Sequence, residues 1–121
     1  MSTQKLRYHI IESIKLLASD GTVQLAFYPN FVCKGDEIAN LLGDWLDLYQ
    51  QQNKIDEKYA FSPEQLVQIM NIDRDISILK TEDFSDYAIL NSPKWQNIRE
   101  KAQRILFLLK VDYSLPNKRS V

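Results

Sequence analysis

Thr22-Val23-Gln24-Leu25-Ala26-Phe27-Tyr28 lies between Gly21 and the run Pro29-Asn30-Phe31-Val32-Cys33-Lys34-Gly35, and its reading decides how the rest of the chain is arranged. Val23, Leu25 and Phe27 fall on one parity, and Thr22, Gln24 and Ala26 on the other, as in a half-buried strand. A lone strand needs a partner. The nearest candidate, 31–34 across Pro29-Asn30, lacks the positive-φ glycine of a tight two-residue hairpin. The alternation therefore predicts an extended connector over residues 22–34, strand-like near 22–28 and packed against helices. All three glycines, Gly21, Gly35 and Gly43, lie in or beside this region, which concentrates the irregular backbone there.

Outward from this connector the periodicity is helical. Leu6, Ile10, Ile14 and Leu17 recur at helical spacing, widened by Ile11 and Ala18 and stopped by Asp20-Gly21, which predicts a helix over residues 3–19. On the other side Asp36 reads as an N-cap with Glu37 in the first turn. Ile38, Leu41, Leu42, Trp45, Leu48 and Tyr49 then form one face over 37–52. Gly43 inside that helix costs about 1 kcal/mol relative to alanine, so a neighbour is expected to approach closely there. After a polar linker over 50–58, Ser62-Pro63-Glu64-Gln65 has the form of a capping box. It opens a helix over 63–80 with Leu66, Ile69, Met70, Ile72, Ile76 and Leu79 on one face. Residues 81–86 break the pattern and 87–90 read as a short apolar turn. Ser92-Pro93 starts a last helix, 93–111, marked by Trp95, Ile98, Ala102, Ile105 and Leu109 and followed by a loose tail over 112–121.

The fold expected is mainly α. It is a compact bundle of four or five helices with one short extended segment, a single domain over 1–121. Its core should include Leu17, Phe27, Leu41, Trp45, Leu66, Ile69, Ile98, Ile105 and Leu109. A length of 121 residues suits one domain. Fifteen basic residues against sixteen acidic ones give a net charge of −1. That balance lacks the basic excess from which nucleic-acid affinity is built, and it argues equally against electrostatic attachment to a membrane. No apolar run reaches a membrane-spanning length, and charges interrupt any signal-peptide pattern near the start, so the expected setting is the cytoplasm. One cysteine and one histidine exclude an internal disulfide and a zinc site of soft ligands, and no cofactor is implied. No glycine follows Gly43, and GxGxxG, GxxxxGK[ST], GxSxG and HExxH are absent.

Three features bear on function. Ile105-Leu106-Phe107-Leu108-Leu109 is apolar all round, so no rotation of one helix turns every side chain inward. Phe107, Leu108 and Val111 are the expected contact surface, for a second copy in a homodimer or for another protein partner. The second feature is the loop that carries Tyr28, Asn30, Phe31, Cys33 and Asp36. These residues suit a small ligand pocket, with Cys33 as a nucleophile if His9 approaches it. The plainer reading is a buried crossover with Cys33 as a small hydrophobe. Third, Asn71, Asp73, Asp75, Ser77 and Glu82 match positions of a calcium loop, but Ile76 stands where that loop needs glycine, so a solvated helix surface is expected. Asp36, Asn40, Asp44 and Asp47 likewise read as an exposed acidic edge. The leading expectation is a non-enzymatic interaction module, and the alternative is a small-molecule binding domain or an enzyme of unfamiliar constellation.

Overall fold

Four of the helices open on a serine whose hydroxyl accepts a backbone N–H of the first turn. Ser2 takes Lys5 N, Ser62 takes Gln65 N, Ser85 takes Ala88 N and Ser92 takes Lys94 N, at 3.1 to 3.2 Å. Each bond satisfies one of the donors that a helix start leaves without a partner. The computed structural model describes residues 1–30 and 32–111. In order, the elements are α1 (Thr3–Ala18), α2 (Gly21–Phe27), α3 (Lys34–Gln50), α4 (Pro63–Ser77), a 3₁₀ turn (Thr81–Phe84), α5 (Asp86–Asn91) and α6 (Pro93–Leu108). At α4 the capping box forms in full, the Gln65 side chain accepting the Ser62 N–H at 2.9 Å.

The strand-like reading of 22–28 is overturned: residues 22–27 lie in helix α2 with Tyr28 as its extended C-cap, and no strand occurs among the described residues. Its inward positions are Gly21, Gln24 and Tyr28, at helical spacing, while Val23, Leu25 and Phe27 are only half-buried. The alternation misled because the residue that turns inward is a glutamine. Residues 87–90 likewise belong to α5, and α3 begins at Lys34 with Cys33, not Asp36, at the N-cap. The described residues thus hold six α-helices where four or five were expected.

Helix α1 is the axis of the bundle, packed most extensively against α6 and α3, with α4 laid along α6. Leu6, Ile10, Ile14 and Leu17 of α1 meet Ile38, Leu42, Leu46 and Tyr49 of α3 and Trp95, Ile98, Ala102 and Ile105 of α6 in one buried cluster. Of the expected core, Leu17, Ile69, Ile98, Ile105 and Leu109 are buried, and Phe27, Leu41, Trp45 and Leu66 pack against its edge. The linker after α3 is pinned rather than free. Thr3 Oγ1 accepts Asp56 N at 3.1 Å, Tyr49 Oη accepts Phe61 N at 3.0 Å, and the Arg7 guanidinium lies 4.7 Å from the Phe61 ring centre.

Helix α2 lies against α1, α5 packs on α2, and the 3₁₀ turn packs on α5 and α3. Where α1 stops, Ser19-Asp20 turn the chain into α2, which leaves carbonyls without helical partners. Gln24 Nε2 donates to Leu16 O and Leu17 O at 3.1 Å, Gln103 Nε2 donates to Ala18 O at 3.1 Å, and Arg99 Nε donates to Ser19 O at 2.8 Å. Arg99, 6% exposed, also reaches Gln24 Oε1, Gln96 Oε1 and Ile89 O, so one guanidinium ties α1, α2, α5 and α6 together. Burial pushes its pKa below the ordinary arginine value, and the charge of Asp20 acts in the opposite direction.

The 3₁₀ turn is fixed from within. Asp83 Oδ2 accepts Lys80 N at 2.8 Å and pairs with Lys94 Nζ at 3.1 Å, while the backbone carbonyl of Asp83 accepts the indole N–H of buried Trp95 at 2.7 Å. Gly35 lies against this turn. A Cβ there would run into Phe84 O, with Phe84 C at 2.8 Å and Phe84 Cα at 2.9 Å, all unyielding backbone.

Two substitutions test this account. Gly35→Ala is expected to cost about 1–3 kcal/mol through overpacking, while Gly43→Ala, which meets only a side-chain oxygen, stays within about 1 kcal/mol of the parent in urea denaturation. Arg99→Leu strips donors from the carbonyls of Ser19 and Ile89 and is expected to cost about 3 kcal/mol by the same measurement. A loss below about 1 kcal/mol would remove Arg99 from its assigned role.

Candidate functional site

The end of α6 divides its apolar run by angle around the helix. Ile105, Leu106 and Leu109 are buried, Leu108 is half-buried, and Phe107 stands 87% exposed. The helix then closes with Lys110 in the left-handed region at φ 56°. Lys110 N donates to Phe107 O at 3.0 Å and Val111 N to Leu106 O at 3.1 Å, the pair of bonds of a Schellman turn. That turn lays Val111 against the core. Of Phe107, Leu108 and Val111, Phe107 alone points fully to solvent.

Phe107 and Leu108 line a shallow groove of about 600 Å³ with Glu100, Gln103 and Arg104 of α6 and Gln68 of α4. Among the described residues the Arg104 side chain makes no hydrogen bond or ion pair. Glu100 accepts only the Gln96 amide, at 3.3 Å. Farther along the same two helices, Lys101 is bound to Asp75 at 2.6 Å.

The residues of the 28–37 loop are spread over different environments. Tyr28 is buried, Asn30 is exposed with its Oδ1 accepting Lys34 Nζ at 3.0 Å, and Asp36 is exposed in the first turn of α3. Phe31 lies outside the described residues. Cys33, expected to be a buried hydrophobe, is instead exposed at the N-cap of α3. The His9 ring stacks on Trp45 at 4.0 Å and 8° between planes, with Tyr8 edge-on at 5.4 Å, so both of its aromatic contacts come from α1 and α3. The sequence marks His9 only as a partner for Cys33 and carries no signal for this stack.

A second groove, about 370 Å³, runs between α3 and α4 and contains Gly43, Asp44, Asp47 and Asp73. The close approach anticipated at Gly43 is that of a carboxylate: Asp73 Oδ1 lies 3.1 Å from where a Cβ would stand. Burial, and then the charge of Asp47, raise the Asp73 pKa above its ordinary 3.8. The calcium-like series lies on helix, with Asn71, Asp73, Asp75 and Ser77 all in α4. No group of three or more histidine, cysteine, aspartate or glutamate side chains suited to a metal ion occurs among the described residues. No described helix is long and apolar enough to cross a membrane.

No protein-family model, no curated protein and no solved structure matches this chain.

Because its folded pKa is raised, Asp73 contributes stability in acid that is lost as pH climbs through that value. At neutral pH its charge is a liability. Asp73→Asn is expected to raise the melting midpoint at pH 7 by about 2 °C, from roughly 0.5 kcal/mol after solvent screening. The advantage should shrink as pH falls through the raised folded value toward 3.8 and be absent below it. An equal gain at both pH values in scanning calorimetry would show that the charge is not the cause.

Proposed function

We propose that this protein is a non-enzymatic interaction module that associates with itself through the outward side of α6. The observation that carries the reading is Phe107, 87% exposed beside half-buried Leu108 on a helix whose opposite side is fully committed to the core. A phenylalanine ring gains about 1.5–3 kcal/mol when it leaves water, and a two-fold contact collects that gain from both copies. Much of it is offset by lost translational and rotational freedom, so the association expected is weak, micromolar or looser, and responsive to protein concentration. The rigid Schellman turn supports the reading, since Phe107 is held out without further ordering of the backbone at its helix end.

Sedimentation velocity across a concentration series is the test. The parent chain is expected to shift toward a dimer with concentration. Phe107→Asp and Leu108→Asp should each weaken that shift about tenfold or more, a loss of about 1.4 kcal/mol. Dimerisation indifferent to Phe107→Asp, or a parent that stays monomeric at millimolar concentration, would overturn the reading.

A further inference from the structure

The ridge that carries Phe107 also carries a charge pattern, and the pattern selects an occupant and its direction. Glu100 and Arg104 stand one turn apart on the exposed side of α6, and among the described residues neither enters an ion pair. The neighbouring charges of α6 are committed. Lys94 is bound to Asp83, Lys101 to Asp75, and Arg99 to buried acceptors. Glu100 and Arg104 are therefore the charges of this ridge left for something outside the chain.

We infer that the occupant is α6 of a second copy, running antiparallel across a two-fold axis between Glu100 and Arg104; this rests on the self-association proposed above. Parallel pairing would set Glu100 against Glu100 and Arg104 against Arg104, and repel. Antiparallel pairing sets Glu100 of each copy against Arg104 of the other, twice, because a two-fold contact repeats every pair. In that register Phe107, three residues beyond Arg104, falls against Gln96 and Asn97 of the second copy, three to four residues before Glu100. Both are exposed and uncharged, so each ring covers side chains without burying an unpaired charge. Charge sets the direction of the pair and the ring supplies the apolar contact.

Charge reversal tests the register, read by sedimentation velocity at matched concentration with circular dichroism as the check on folding. E100R and R104E are each expected to weaken self-association about tenfold, since each turns both ion pairs into like-charge pairs. The double variant E100R/R104E restores the pairing and should dimerise as the parent does. An equimolar mixture of the two single variants should form a mixed dimer that neither forms alone, and that dimer should weaken as salt is added. The outcomes separate the two claims. If the single variants dimerise like the parent while Phe107→Asp does not, the antiparallel pairing is wrong and the self-association reading stands. A parent that remains monomeric overturns both.

Discussion

The C-terminal end of α1 is the constraint around which the chain is organised. A helix that stops beneath other helices exposes carbonyls that water cannot reach, and each one left unmade costs about 1–3 kcal/mol. Here they are satisfied by side chains from beyond the helix: Gln24 of the next helix for Leu16 and Leu17, and, from far along the chain, Gln103 for Ala18 and Arg99 for Ser19. That single need fixes where α2 begins, which side of α2 turns inward, and how α6 is rotated against α1. It also explains a buried arginine with no carboxylate hydrogen-bonded to it. A guanidinium has donors enough to serve several carbonyls at once, and its positive charge suits the negative end of a helix dipole.

The same junction separates what was legible in the sequence from what was not. The helices with apolar stripes, α1, α3, α4 and α6, could be read because burial follows hydrophobicity along them. Their starts could be read where serine and proline supply local signals, as at Ser62 and Ser92. Helix α2 could not be read, because the residue it buries most completely is Gln24, whose role depends on carbonyls presented by another helix. Helix α5 was missed for a related reason: six residues are too few for periodicity, and its place is set by Arg99 and by the close approach of Gly21 to Ile89 and Leu90. At the candidate surface the surplus of apolar residues in 105–109 was visible, but their division by direction was not. Val111 looked like surface until the left-handed Lys110 turned it back onto the core.

Two carboxylates show how position decides the sign of an electrostatic contribution. Asp83 has its pKa lowered, first by the hydrogen bond from Lys80 N and then by Lys94, so what it contributes is present above 3.8 and is lost as pH falls through its folded value. Asp73, half-buried against Gly43 and facing Asp47, has the opposite slope. One is a donor-rich clasp on a turn that holds Trp95, and the other is tolerated where α3 and α4 approach. The acidic groove around Asp73 therefore records a cost of packing those two helices closely, which is reason enough for its shape.

Helix α6 brings these strands of argument together, because its charged residues are sorted by direction. Arg99 faces inward and has its donors spent on four acceptors. Lys94 and Lys101 flank the helix and are paired with carboxylates of the 3₁₀ turn and of α4. Arg104, chemically the same as Arg99, faces outward with no acceptor within the described chain. An arginine costs little in water, so Arg104 alone would mean nothing. Its meaning comes from company: Glu100 one turn before it is opposite in sign, and Phe107 one turn beyond is apolar and uncovered. The side of α6 that meets the core is satisfied donor by donor, and the side that faces away carries one charge of each sign and one ring, a set that a copy of itself turned end for end would complete.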